Sequence, residues 1–144
     1  MEANSNGMKP PVLANIRAEW DWVKEGVEEI LGISSHLTWR PEDIYASCLS
    51  GESGLWVSNR DWFVVSTIEV DQFNGQRTFL IWLSWTRQRG NSVAAEIWPF
   101  FEGVARQSGC NMIEVRTEHK KVGEYIESCL GWDCQQMVFS KDLN

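Results

Sequence analysis

The sequence predicts a single α/β domain (α+β in stricter usage) with a mixed sheet, antiparallel strands first and a strand–helix–strand crossover later. Three observations predict it. The 144 residues, 43% of them apolar, suit one hydrophobic core. Strand-like runs joined by short polar turns occupy the middle of the chain. Beyond residue 90, helical and strand-like patterns alternate.

The N-terminal part begins with a polar arm. Residues 1–12 are polar, include Pro10-Pro11, and are predicted to be flexible, which leaves residues 13–144 as the folded domain. Residues 13–31 are predicted to form an amphipathic helix that stops at Gly32. Its apolar stripe consists of Ile16, Trp20, Val23, Val27 and Ile30. A second helix is expected to start at Pro41 and to end at Ser50-Gly51.

Three strands in meander order are predicted next, over residues 55–58, 62–70 and 78–85, with turns at residues 59–61 and at Asn74-Gly75. The last of them is apolar on both faces, which is typical of a central strand covered by helices on each side.

The crossover is predicted to use a helix over residues 91–108 and a strand over 111–116. A further helix is expected over residues 120–130, followed by a closing strand over 134–140.

The junction between the central strand and the following helix has the makeup of a phosphate-binding turn. Gly90 allows a tight turn, and the free N–H groups at the start of the helix can donate to an anion. Arg87 and Arg89 add charge-assisted donors. The alternative is an ordinary surface turn with two solvated arginines.

The order of elements and two short motifs resemble the GNAT superfamily of acyl-CoA-dependent N-acyltransferases. Arg87, Gly90 and Ser92 match its Gln/Arg-x-x-Gly-x-Gly/Ala motif, and residues 130–132 match its Leu-Gly-Phe. The resemblance implies that acetyl-CoA or coenzyme A binds through its pyrophosphate, with an amine as second substrate. The implied binding residues are Arg87, Gln88, Arg89, Gly90, Asn91 and Ser92.

The chain departs from the family pattern at both ends and at the catalytic positions. Residues 11–13 alone could supply the opening strand, and one closing strand replaces the usual two. The tyrosine that often protonates the leaving thiolate is replaced by Glu127, and Tyr125 falls on another face of its helix. His119 is the candidate base, because its intrinsic pKa suits that role. The alternative is a solvated loop histidine.

Composition excludes several classes of protein. A net charge of -7 and a pI near 4.8 argue against a nucleic-acid surface. No apolar run has the length of a membrane span, so no membrane partner and a cytoplasmic location are expected. The four cysteines lack the spacing of a metal site, so no metal is expected.

Two function classes remain open. One is an active N-acetyltransferase with a degenerate coenzyme A turn. The other is a catalytically silent, partner-binding module like the short GNAT-like proteins of tailed phages, found in the host cytoplasm or virion. Its contacts with a protein partner or a second copy are expected at residues 1–12, Trp20, Trp22 and strand 134–140. The nine tryptophans allow a core interpretation, which we favour, or a partner surface.

Overall fold

The structure is a computed structural model that describes residues 10–34, 37–87 and 93–144. A five-stranded mixed sheet has the order β1-β2-β3-β4-β5, antiparallel except for the parallel pair β4–β5. The predicted meander and crossover are therefore confirmed. The elements are β1 Val12–Leu13, α1 Ile16–Ile33, α2 Pro41–Ser50, β2 Ser53–Ser58, β3 Trp62–Val70, β4 Arg77–Thr86, α3 Val93–Gln107, β5 Met112–Val115 and α4 Lys120–Leu130.

Local signals account for most helix ends. Asn15 caps α1 by accepting from the backbone N–H of Arg17, and α2 begins at the predicted proline and ends at Gly51 in the left-handed conformation. The predicted stop of α1 at Gly32 is wrong. This glycine stays helical, and the helix ends at Ile33 because the next residue turns extended.

A bulge in β4 divides the strand into two halves. Val65 pairs with Leu83 and Ser66 pairs with Ile81, so Trp82 is left between two paired residues. An unbroken strand would put residues 79, 81 and 83 on one face. With the bulge, Ile81 faces α3 whereas Leu83 faces α1.

The sheet consequently separates two cores. The first, the α1/α2 core, contains Ile16, Trp22, Val23, Val27, Ile44, Leu55, Val57, Phe63, Val65 and Leu83. The second, the α3/α4 core, contains Trp62, Val64, Phe79, Ile81, Ile97, Trp98, Phe101 and Ala105.

All nine tryptophans pack in these two cores, which confirms the core interpretation. Trp22 is only 7% exposed and donates its indole N–H to Glu19 at 2.7 Å, so its predicted place on a partner surface is wrong. Trp20 is half-buried, with its ring centroid 5.1 Å from that of Tyr45. Large aromatic side chains this close to a core gain more from internal burial than from an external contact.

The predicted closing strand over residues 134–140 is wrong. Residues 131–144, all within the described ranges, contain no helix or strand. Gly131 ends α4 in the left-handed conformation, and Phe139 beyond it is 87% exposed. The segment is β-prone, but a strand also needs a partner ladder for its backbone groups, and these residues have none here.

The predicted arm lies mostly outside the described residues, which begin at Pro10. Near its end, Pro11 is buried and Val12 pairs with Val57 on β2.

Gly26 lets α1 approach the sheet closely. A Cβ atom at this position would lie 2.5 Å from Cε2 of Phe63 and 2.8 Å from Cδ2 of Trp85. Glycine costs about 1 kcal/mol relative to alanine inside a helix. Here the helix tolerates it because the two aromatic rings occupy the space of a side chain.

We expect the Gly26→Ala substitution to lower the free energy of unfolding by about 1–3 kcal/mol, because overpacking exceeds the gain in helix propensity. Denaturant unfolding of the variant measures this. Gly32→Ala is the matched control: its Cβ would meet nothing within 4 Å, so it should stabilise the protein by about 0.5–1 kcal/mol. Equal stabilisation by both substitutions would contradict the close-approach explanation.

Candidate functional site

β4 extends beyond its last pair with the parallel strand β5. β5 pairs with β4 from Thr78–Met112 to Ile81–Val115, and β4 then continues through Thr86 while paired with β3 on its other side. The second half of β4 therefore has an outer edge without β5, and we call the space beside this edge the slot. Such an edge can hydrogen-bond an extended chain of amides.

The residues of the predicted phosphate-binding turn follow β4 directly in the sequence. β4 ends at Thr86 and α3 begins at Val93. Gln88, Arg89, Gly90, Asn91 and Ser92 lie outside the described residues. Their predicted role therefore stays a prediction.

Arg87 connects the end of β4 to the β2–β3 hairpin. Its backbone N–H donates to the Asp61 carbonyl at 2.7 Å, and its guanidinium donates to the Arg60 carbonyl at 3.2 and 3.3 Å. The guanidinium carbon also lies 5.3 Å from the ring centroid of Trp85, which is within cation–π range. Arg87 thus has a structural role at the end of β4, where it holds this strand to the β2–β3 hairpin.

The hairpin that Arg87 contacts is a tight left-handed turn. Asn59 and Arg60 have φ of 52° and 60°, and the N–H of Asp61 donates to the Ser58 carbonyl at 2.9 Å. Asparagine adopts this conformation more readily than arginine does. The Arg60 guanidinium lies 3.7 Å from the Glu19 carboxylate, which adds a contact to α1.

A groove of about 570 Å³ lies on the α1/α2 side of the sheet, beyond the part that these helices cover. Ile81 and Trp82 line it, so the groove reaches the point where the pairing of β4 with β5 ends. The other lining residues are Leu37, Thr38, Trp39, Ser47, Glu52, Ser53, Thr67, Glu69, Leu80 and Arg116.

The bulge places an aromatic wall in this groove. Trp82 is the bulged residue, and its ring meets that of Trp39 edge to face at 6.1 Å. Next to the wall, the hydroxyls of Ser47 and Ser53 are hydrogen-bonded to each other at 2.7 Å. The groove therefore offers an aromatic surface beside a polar one, the usual composition of a small-molecule site.

Two carboxylates and one guanidinium, those of Glu52, Glu69 and Arg116, line the polar side of the groove, and Glu114 lies next to Arg116. Arg116 donates from Nη2 to Glu69 at 2.8 Å and to Glu114 at 3.1 Å. Partial burial works to lower the pKa of Arg116, but the hydrogen bonds to the two carboxylates outweigh it and raise that pKa. Glu52 lies on the opposite rim, where its carboxylate accepts from the Ser50 hydroxyl at 3.3 Å.

The two predicted catalytic residues lie on α4 and at its start. His119 is the N-cap of α4, is exposed, and donates its backbone N–H to the Thr117 hydroxyl at 3.1 Å. Glu127 is exposed and follows Ile126, the buried residue of α4. Neither His119 nor Glu127 is among the described residues that line the groove.

The sequence analysis named His119 as the candidate base and did not identify the carboxylates of the groove. Strand periodicity would have found Glu69, since residues 63, 65, 67 and 69 of β3 share a face. Arg116 and Glu52 meet this face only through the fold, and no local pattern predicts that contact.

Within the described residues, no group of three or more His, Cys, Asp or Glu side chains could hold a metal ion. Among the helices described, none is long and apolar enough to cross a bilayer.

Comparison with solved structures shows the fold. An aminoglycoside N-acetyltransferase solved with CoA has a TM-score of 0.64 at 13% identity, over 94% of this chain and 99% of its own. A Trypanosoma brucei acetyltransferase has a TM-score of 0.68 at 12% identity, over 93% and 99% of the two chains. An aminoglycoside acetyltransferase from an uncultured soil metagenomic sample, solved with sisomicin, has a TM-score of 0.69 at 9% identity, over 96% and 98%.

No protein-family model matches the chain, and no curated protein matches its sequence. The structural likeness nevertheless spans nearly the whole of each chain. The protein therefore has the fold of GNAT-type acetyltransferases, which confirms the predicted fold.

The thiol next to the groove is predicted to be unreactive. Burial raises the pKa of Cys48 to about 11, so its thiol stays protonated at pH 8. We expect iodoacetamide at pH 8 to modify the exposed Cys129 and Cys134 of the native protein well before Cys48. Peptide mapping by mass spectrometry measures the order, and unfolding in denaturant should abolish it. Equal rates in the native protein would show that Cys48 is accessible.

Proposed function

We propose that the protein is an acyl-CoA-dependent N-acyltransferase, with the acyl donor in the slot beside β4 and the amine in the groove. The observation that carries this proposal is the continuation of β4 past the last β5 pair, Ile81–Val115, to the predicted phosphate-binding turn. Slot and groove meet at Trp82, so two substrates could approach each other there from different sides.

The donor fits the slot chemically. The pantetheine arm of coenzyme A is an extended chain with amide groups, which suits an open strand edge. Its pyrophosphate would reach the turn at Arg87, Gln88, Arg89, Gly90, Asn91 and Ser92. A helix start with free N–H groups favours that charge.

The acceptor side fits an amine. In the transfer, the amine nitrogen bonds to the thioester carbonyl carbon, the carbon–sulfur bond breaks, and the thiolate leaves as coenzyme A. The amine must lose a proton before or during attack. We propose His119 as the base, because it lies three residues beyond Arg116, which lines the groove. Glu127 takes the place of the leaving-group acid and, being exposed, would act on a thiolate only through water.

Charge reversal at the turn tests donor binding. The double variant Arg87→Glu/Arg89→Glu should bind coenzyme A more than tenfold more weakly, since each charge-assisted contact contributes about 1.5–3 kcal/mol. Isothermal titration measures this. Arg17→Glu/Lys24→Glu, two exposed positions on α1, is the control with the same change in net charge. Equal weakening in both double variants would indicate an overall charge effect and contradict this placement. Because Arg87 also supports the hairpin, the single variant Arg89→Glu separates phosphate binding from folding.

Removing the candidate base tests the acceptor side. If His119 is the general base, His119→Ala should lose about 10²-fold in rate and the acidic limb of the pH–rate profile. The measurement is thiol release with a trial amine over a range of pH. An unchanged profile would exclude His119 from proton transfer.

The alternative is a silent, partner-binding module of phage origin. One observation favours partner binding: beyond α4 the tail exposes the apolar side chains of Met137, Val138, Phe139 and Leu143. Phage origin and a place in a virion stay predictions. Failure of the unmodified protein to bind coenzyme A would favour this alternative over the acyltransferase.

A further inference from the structure

The outer edge of β5 is open. β5 is the last strand of the sheet and pairs with β4 over Met112–Val115. On its other side, no backbone group among the described residues hydrogen-bonds to it. The free N–H and C=O groups of such an edge are a template for a further strand. β5 contains neither proline nor lysine, the residues that commonly protect an edge strand from pairing.

The two faces of β5 differ in polarity. Side chains alternate across a strand, so Ile113 and Val115 share one face, and both pack against the α3/α4 core. Glu114 lies on the other face, where its carboxylate accepts from Arg116. A strand added to this edge therefore needs an apolar face on the α3/α4 side and can carry polar residues on the other side.

The C-terminal tail, residues 131–144, has a segment with this pattern. In residues 134–140, Met137 and Phe139 would share one face of a strand, and Val138 would lie on the other between Gln136 and Ser140. The three apolar side chains are 76%, 87% and 80% exposed in that order, and the segment has no strand partner among the described residues. Its apolar face thus matches the apolar face of β5.

The start of the tail is fixed on α3. Gly131 ends α4 in the left-handed conformation, and Trp132 then donates its indole N–H to Glu102 at 2.8 Å. The Trp132 ring also lies 5.9 Å from that of Trp98. The tail of one chain therefore leaves from α3, and both this tail and the β5 edge of the same chain are uncovered. Two copies related by a two-fold axis cover both, because each copy supplies one tail and one edge.

We propose that the protein forms a two-fold dimer by exchange of C-terminal tails, in which residues 134–140 of each copy add a sixth strand beside β5 of the other. Main-chain hydrogen bonds to β5 hold the tail, and its alternating side chains set which face meets the α3/α4 core. This interface goes beyond the proposed function and does not depend on it, because it rests on the open edge and the exposed tail alone.

The test is light scattering of the full-length protein after gel filtration, over a range of concentrations. The unmodified protein should be a dimer. Phe139→Asp should weaken dimerisation by about tenfold or more, because it places a charge in the apolar face of the added strand. Its circular dichroism spectrum should not change, since Phe139 contributes little to the fold of one chain. Phe73→Asp is the matched control: Phe73 is 97% exposed, lies between β3 and β4, and should leave the dimer intact.

Hydrogen exchange tests whether β5 is the site. The outward amides of Met112–Val115 should exchange about tenfold or more slowly in the dimer than in the Phe139→Asp monomer. A synthetic peptide of residues 133–141 should bind that monomer and restore slow exchange. The same peptide with proline at both 137 and 138 should not, because neighbouring residues of a strand donate to opposite sides and one proline removes a needed donor.

Three results would overturn the proposal. A dimer that survives Phe139→Asp, or one without protection of β5, would place the interface elsewhere. A monomeric protein with fast exchange at β5 would show that the edge stays open. A monomeric protein with slow exchange there would show that the tail pairs with its own chain.

Discussion

The register break at Trp82 is the constraint on which both the packing and the site depend. On one side of it, Ile81 belongs to the α3/α4 core and β4 still pairs with β5. On the other side, Leu83 belongs to the α1/α2 core and the strand edge is without β5. One extra residue thus changes which helices the strand supports and aims the Trp82 ring into the groove.

The α1 helix can pack against the second half of β4 only because Gly26 allows close contact with Trp85. Trp22 and Trp85 lie with ring centroids 6.3 Å apart, and Phe63 stacks on Trp85 at 5.6 Å. The guanidinium of Arg87 lies over the same Trp85 ring. Packing in the α1/α2 core therefore continues directly into the end of the strand that precedes the predicted phosphate-binding turn.

Covering the groove would have opposite effects on the free energy of its apolar and its charged side chains. Its tryptophan wall gains from covering an apolar chain, whereas its carboxylates favour water unless a cation meets them. Arg116 pairs with Glu69 of the groove and with the neighbouring Glu114 at little cost, because these side chains are only partly buried. The Ser34 hydroxyl donates to Glu118 at 2.7 Å and joins the end of α1 to the loop that follows Arg116.

The sequence by itself determined the elements whose signals are local. Pro41, Gly51 and Gly131 mark helix ends, and the two-sided apolar run of β4 marks a central strand. Tertiary structure alone decided the bulge, the contact of Arg116 with Glu69 and the unpaired state of residues 134–140. The physical reason is that propensity and periodicity act over a few residues. Register, cross-strand charge contacts and strand pairing depend on backbone that is distant in the chain.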